Sequence, residues 1–96
     1  MSDHPSRRPL DPPQDAPALA RVTVLPHNGS RQSIGIFSDA QPPRGFVVEL
    51  TPDPHPTETV STRVIRTPLG NSRRSEFLLC VTNRGQQAVT ATVRQL

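Results

Sequence analysis

The stretch FLLCVTNRGQQAVTATV, residues 77–93, decides how this chain folds. Its first residues are continuously apolar, which is typical of a central strand covered on both faces. The tripeptide Asn-Arg-Gly that follows has the chemistry of a turn. Beyond it, Val89, Ala91 and Val93 alternate with polar residues, the pattern of a strand with one buried face. The stretch therefore predicts a strand, a turn and a second strand.

The same alternation continues upstream in short segments separated by Pro, Gly and Asn. These segments lie at residues 22–24, 34–37, 46–50 and 60–64. In the second of them, the spacing predicts that Ile34 and Ile36 share one face. No window has the 3.6-residue period of a helix. We therefore expect an all-β domain, either a small antiparallel β-sandwich or a partly open barrel, with about six to seven strands.

The corner Val-Thr-Asn-Arg-Gly at residues 81–85 resembles a hairpin corner of immunoglobulin-like β-sandwich modules, where it joins two adjacent strands. The resemblance covers residues 78–93 and implies an immunoglobulin-like sandwich, without implying a function. The chain has no Trp and one Cys, so the Cys…Trp…Cys signature of antibody-type domains is absent. The resemblance is therefore to the disulfide-free members of that group.

Residues 1–19 differ in composition from the rest of the chain. They hold five of the twelve prolines and almost no large apolar side chain. Such a segment cannot bury enough surface to offset the entropy lost on ordering. We predict an extended or disordered proline-rich arm at residues 1–19 and a single β-domain at residues 20–96. In one interpretation the arm does nothing; in the other, which we favour, it orders on a partner.

No constellation of residues in the sequence points to catalysis. Cys80 lies within the apolar strand and is interpreted as a small buried hydrophobic residue. His4, His27 and His55 have no second ligand at metal-binding spacing. There is no nucleophile motif and no Gly-rich phosphate loop. The sequence therefore predicts no enzyme activity, no cofactor and no metal site.

All eleven basic residues are Arg. Nine of them lie in residues 20–96 against five acidic residues, which gives that part a net charge of +4. Arg favours forked contacts with carboxylate or phosphate, but GC-rich codon usage would produce the same excess. The cluster of Arg63, Arg66, Arg73 and Arg74 has two interpretations as well. It is either a phosphate-binding patch or, as we favour, a charged sheet edge that prevents aggregation.

The expected function is that of a non-enzymatic structural protein in a large assembly. A domain this small, without a disulfide or a metal, gains stability from a partner. The sharper form of the hypothesis is a decoration, cement or connector protein of a bacteriophage virion that docks through its arm. The alternative is an adaptor or regulatory module that binds a protein or an anionic polymer through its Arg-rich edge. A third hypothesis, a carbohydrate-binding module, is weakened because Trp and Tyr are absent.

The predicted partner contacts are the charged and apolar side chains of the arm and the Arg cluster. They are Arg7, Arg8, Leu10, Leu19, Arg63, Arg66, Arg73 and Arg74. We expect a protein partner or neighbouring subunits of an assembly, an oligomeric or assembly-bound state, and neither nucleic acid nor a membrane. Without an apolar segment of signal-peptide or membrane-spanning length, the sequence predicts synthesis in the cytoplasm, with the virion as a possible destination.

Overall fold

The computed structural model describes residues 17–96. The predictions that concern Arg7, Arg8 and Leu10 therefore lie outside the described residues. Within them the chain forms six strands and one short 3-10 helix. In chain order these are β1 (Ala20–Val24), β2 (Asn28–Ser38), β3 (Phe46–Thr51), the 3-10 helix (Thr57–Thr59), β4 (Val60–Pro68), β5 (Arg74–Asn83) and β6 (Val89–Gln95).

The strands form two three-stranded sheets, in the orders β1-β6-β3 and β2-β5-β4. Every strand pair is antiparallel. The prediction of an all-β, antiparallel fold is confirmed. The sheets are not closed into a barrel, and their inward side chains meet in one core.

The core consists of small and medium aliphatic side chains from both sheets. Its buried members are Ala20, Val24, Ile34, Leu79, Val81, Val89, Ala91 and Val93. The alternation predicted for β6 is confirmed, because its three inward residues are all in this list. Phe37, Phe46 and Phe77 pack against the core, with ring centroids 5.5 to 6.0 Å apart. These rings occupy strand positions and extend the core.

The hairpin predicted at residues 78–93 is wrong, because β5 and β6 belong to different sheets. The Asn83 side chain, only 1% exposed, holds the chain where it crosses between them. Its Nδ2 donates to the carbonyl oxygens of Val24, at 3.1 Å, and Gln87, at 2.8 Å. Its Oδ1 accepts from the Gly85 amide at 2.9 Å. One buried amide therefore joins the end of β1 to the connection between the sheets.

A bulge in β2 separates the two isoleucines that were expected to share a face. The register on β5 shifts between Ser33 and Gly35, where the glycine adopts a φ of 154°. This backbone conformation favours a residue without a Cβ. As a result Ile34 is 5% exposed and lies in the core, whereas Ile36 is 54% exposed on the outward side. The expectation of a shared face is wrong for that reason.

Strand β5 is the central strand of its sheet, as predicted, but the described residues cover only one of its faces. Leu79 and Val81 point inward and are fully buried. Leu78 and Cys80 alternate with them, so they point outward and are half-buried. The interpretation of Cys80 as a buried residue is therefore wrong, because its side chain is half-buried on the outward side. The continuous apolar run leaves this strand with an uncovered apolar side.

We expect Asn83→Ala to lower the free energy of unfolding by about 2–4 kcal/mol, measured by urea denaturation. The substitution removes the donor to two carbonyl groups and the acceptor of the Gly85 amide at a buried position. The matched control is Asn28→Ala, because Asn28 is exposed and donates only to the Pro26 carbonyl within its own turn. Equal losses in the two variants would contradict this role of Asn83.

Candidate functional site

The outward side of the β1-β6-β3 sheet, here called the threonine face, is mainly polar. Its polar side chains form hydrogen bonds and an ion pair with one another. Its outward residues are Arg21, Thr23, Val47, Glu49, Thr51, Thr90, Thr92 and Arg94. The Thr23 and Thr90 hydroxyls are hydrogen-bonded at 2.8 Å, and Arg21 Nε donates to Thr92 Oγ1 at 3.3 Å. Arg94 forms an ion pair with Glu49 on the neighbouring strand. Such pairing is typical of a face that stays in water.

The outward side of the β2-β5-β4 sheet, here the β5 face, has a different character. Its outward residues include Arg31, Ser33, Ile36, Arg63, Ile65, Glu76, Leu78 and Cys80. Leu78 lies directly opposite Ile65, and both are half-buried. Ile36 is the most exposed of the apolar residues here, at 54%. Leu78, Ile65 and Ile36 therefore form an apolar band along this face that the described residues cover only in part.

Two arginines border this band on either side of Cys80. The register places Arg31 of β2 and Arg63 of β4 opposite the same cysteine on β5. Both side chains line a shallow depression of about 360 Å³ that includes Thr82. Within residues 17–96, neither side chain forms a hydrogen bond or an ion pair. Two cations placed side by side in this way attract an acidic group.

Toward the opposite end of the band, β5 presents one carboxylate, Glu76, and one further arginine, Arg74, on the same outward side. Glu76 lies four residues before Cys80 on β5 and accepts a hydrogen bond from the Ser33 hydroxyl at 2.8 Å. Since alternate residues of a strand point to the same side, Glu76, Leu78 and Cys80 follow one another along the β5 face. The β5 face therefore has Glu76 and Arg74 at one end, an apolar centre, and Arg31 and Arg63 beside Cys80 at the other end.

Of the predicted contact residues, Arg66 makes hydrogen bonds within the domain that stabilise the fold. Its Nε donates to Ser75 Oγ at 3.0 Å, and its Nη2 donates to Asp39 Oδ1 at 2.9 Å. The Ser75 hydroxyl, which is fully buried, donates to the same carboxylate oxygen at 2.8 Å. The Ser75 hydrogen bond and, next, the Arg66 hydrogen bond lower the pKa of Asp39 below its ordinary value.

The other predicted residues are spread over the surface. Arg63 and Arg74 lie toward opposite ends of the β5 face, and Arg73 lies in the turn before β5 with a φ of 58°. Leu19 packs against the core, and its amide donates to the Val93 carbonyl at 2.8 Å. The structure therefore does not bring the four predicted arginines together. It instead places Arg63 with Arg31, which sequence reasoning missed because only the register of β2 on β5 brings the two together.

A separate open cleft of about 460 Å³ lies between the proline-rich loop after β3 and the connection before β6. Pro52, Pro54 and Pro56 line one side with His55. Arg84 also lines it and donates to the carbonyl of Glu58 at 3.1 Å. Within residues 17–96, no group of three or more His, Cys, Asp or Glu side chains could hold a metal ion. The cleft is therefore a concave surface, and within the described residues no cluster of metal-binding side chains lines it.

Comparison with protein families, with curated proteins and with solved structures found no match. Among the residues that the structure describes, no helix has the length and hydropathy needed to cross a membrane.

We expect Asp39→Asn to make the stability of the domain less sensitive to acid. The pKa of Asp39 is lower in the folded than in the unfolded chain, so its contribution is present above the ordinary Asp pKa of about 3.9. That contribution is lost as the pH falls through the lower folded value. Urea unfolding between about pH 6 and pH 2.5 should show a larger loss for the wild type than for Asp39→Asn. Parallel losses would contradict the Ser75 and Arg66 contacts, and the exposed loop variant Asp53→Asn serves as the control.

Proposed function

We propose that this chain is a non-enzymatic protein-interaction module, a small β-sandwich that docks into a larger assembly through its β5 face. The observation that carries the proposal is the uncovered side of β5. A central strand with apolar residues on both sides normally has both sides covered. Here one side faces the core, and the other leaves Leu78 and Ile65 half-buried beside the exposed Ile36.

Covering the apolar band would be energetically favourable. Full burial of an exposed aliphatic side chain is worth about 1.5–3 kcal/mol, and the half-buried Leu78 and Ile65 would gain part of that. The core itself is built from small and medium aliphatic residues, with Leu79 and Ile34 as its largest fully aliphatic members. A domain with so small a core has little stability to spare, so a partner that binds only the folded state adds substantially to it.

The two outward faces differ in whether their charged side chains have partners, which is also a difference between a solvent-exposed face and a docking surface. On the threonine face, polar side chains bind one another and leave little unsatisfied charge. On the β5 face, Arg31 and Arg63 lack such partners within residues 17–96. Unpaired arginines beside an apolar centre are typical of protein-protein interfaces, in which Arg is enriched.

As the particular assembly we propose a bacteriophage virion, in which the chain would be a decoration, cement or connector protein. The support is general: a small β-domain, a proline-rich N-terminal segment and no catalytic constellation in the sequence. An anionic polymer is the less favoured partner. Of the cluster first considered for it, Arg66 is held by Asp39 and Ser75, and Arg63 lies apart on the β5 face.

The test compares one substitution on each face in the cells or particles that contain this protein. Ile36→Lys places a charge in the apolar band, opposite Glu76. Val47→Glu places a charge on the threonine face, opposite Arg94. Each new charge faces an existing opposite charge, so both variants should fold and unfold at nearly the wild-type temperature.

We expect the wild type and Val47→Glu to elute from size-exclusion chromatography within a large complex. Ile36→Lys should elute mainly at the size of the free chain, because its charge would be buried against the partner. Elution of all three forms as free chains would contradict the proposal, as would release of Val47→Glu alone. A complex of virion size, containing capsid proteins, would support the particular assembly.

A further inference from the structure

Four strands lie at the edges of the two sheets, and three of them carry features that hinder pairing with another chain. Strand β2 has the bulge at Gly35, β1 carries Arg21, and β4 carries Arg63 and Arg66 and ends at Pro68. Bulges, basic side chains and prolines protect exposed sheet edges. The fourth edge strand, β3, has the sequence FVVELT, which contains no basic residue and no Pro, and its register on β6 has no shift. Strand β3 is therefore the edge most open to pairing.

The backbone groups of β3 alternate between β6 and the free edge. The Leu96 amide donates to the carbonyl of Gly45, directly opposite, at 3.1 Å, so this pair is a hydrogen-bonded one. Counted in steps of two from Gly45, the odd-numbered residues of β3 direct their backbone groups toward β6. The groups that point to the free edge are those of Phe46, Val48 and Leu50. Among the described residues, no backbone group is bonded to them on that side.

A second β3 strand meets all of these groups in one register. If a two-fold axis passes through Val48, the antiparallel strands set Val48 against its own copy and Phe46 against Leu50. Each of these is a hydrogen-bonded pair, so about six backbone hydrogen bonds join the chains. An axis at Val47 or Glu49 would leave about four, and at Glu49 it would also set two carboxylates against each other. The sequence of β3 therefore matches itself in one register.

The side chains of β3 suit this register on both sides of the joined sheet. On the inner side, its three apolar residues are only partly buried against the core, and the second strand would cover more of their surface. On the outer side, Val47 would lie opposite Glu49 of the second copy. Glu49 keeps its ion pair with Arg94 of its own chain, so no like charges are set directly opposite each other.

A second copy fits this edge better than residues 1–16 of the same chain, whatever path those residues take. Any run of six residues within 1–16 contains at least one Pro. Proline has no amide hydrogen to donate and is disfavoured within a pair of strands. Strand β3 contains no Pro and offers donors and acceptors along its whole length. The occupant that this edge selects is therefore another β3.

We propose that two copies of this chain associate through β3, which pairs antiparallel with its own copy about a two-fold axis at Val48. The two three-stranded sheets would join into one sheet in the order β1-β6-β3-β3-β6-β1, and the symmetry would close the assembly at a dimer. The β5 face lies on the other sheet, so each copy keeps it free for the docking proposed above. The inference goes beyond that docking function, and neither contact requires the other.

The first test is sedimentation velocity on the full chain. A contact limited to two strands is small, so we expect the wild type to dimerise with a Kd between about 1 μM and 1 mM. Val48→Lys would set two ammonium groups against each other at the axis and should associate at least about tenfold more weakly. The matched control is Val22→Lys on β1, because Val22 is also partly buried against the core at the opposite edge of the same sheet. Val22→Lys, and Ile36→Lys on the β5 face, should associate like the wild type.

A disulfide test reports the register through outward side chains, so it stands even if Val48→Lys does not fold. In a background of Cys80→Ser, which leaves no other thiol, one chain carries Val47→Cys and the other carries Glu49→Cys. These positions would lie directly opposite each other in a non-hydrogen-bonded pair, with Cα atoms about 4.5 Å apart, which suits a disulfide. Two copies of either position would be about 8 Å apart, too far to be bridged. Under mild oxidation, mass spectrometry should show crosslinked dimers of one chain of each kind in the mixture, and few dimers of either variant alone.

A wild type that stays monomeric up to about 1 mM would overturn the proposal. Equal association of Val48→Lys and Val22→Lys would overturn it as well, because the two substitutions would then differ in nothing that concerns β3. So would a mixture of the two cysteine variants that forms no more crosslinked dimer than each variant alone. Loss of association in Ile36→Lys but not in Val48→Lys would assign the self-association to the β5 face instead of β3.

Discussion

Strand β5 imposes the constraint on which the rest of the structure depends, because its side chains are apolar on both sides. Leu79 and Val81 on the inner side hold the core shared by the two sheets. Leu78 and Cys80 on the outer side receive no such cover from the described residues. The fold buries the inner side of β5, and the proposed docking function follows from its outer side. Because only eight hydrophobic residues of the described part are fully buried, the proposed contact on the outer side would add to the stability of the domain.

Local pattern predicted which residues form strands, and it failed where the structure depends on contacts distant in sequence. The alternation of Val89, Ala91 and Val93 identified β6 and its inward face. Ile34 and Ile36 show the same spacing, yet the bulge at Gly35 turns them to opposite sides. A register shift arises from pairing between strands, so the residues of one strand do not reveal it.

The candidate site was predicted in part for the same reason. Sequence reasoning selected Arg63 because it lies near other arginines in the chain, although its neighbour in space is Arg31 on a different strand. It also grouped Arg66 with Arg63, but Arg66 forms an ion pair with Asp39 within the domain and therefore stabilises the fold. The uncovered side of β5 could not be foreseen, because a continuous apolar run looks the same whether a sheet, an arm or a partner covers it.

The central claim, that a partner covers the β5 face, is tested most directly by the rate at which a thiol reagent labels Cys80, the one cysteine of the chain, which points outward on this face. The rate is measured for the free folded chain and for the chain within its native assembly. The account predicts much slower labelling in the assembly, because the partner would cover the thiol. Equal labelling rates in the two states would contradict it.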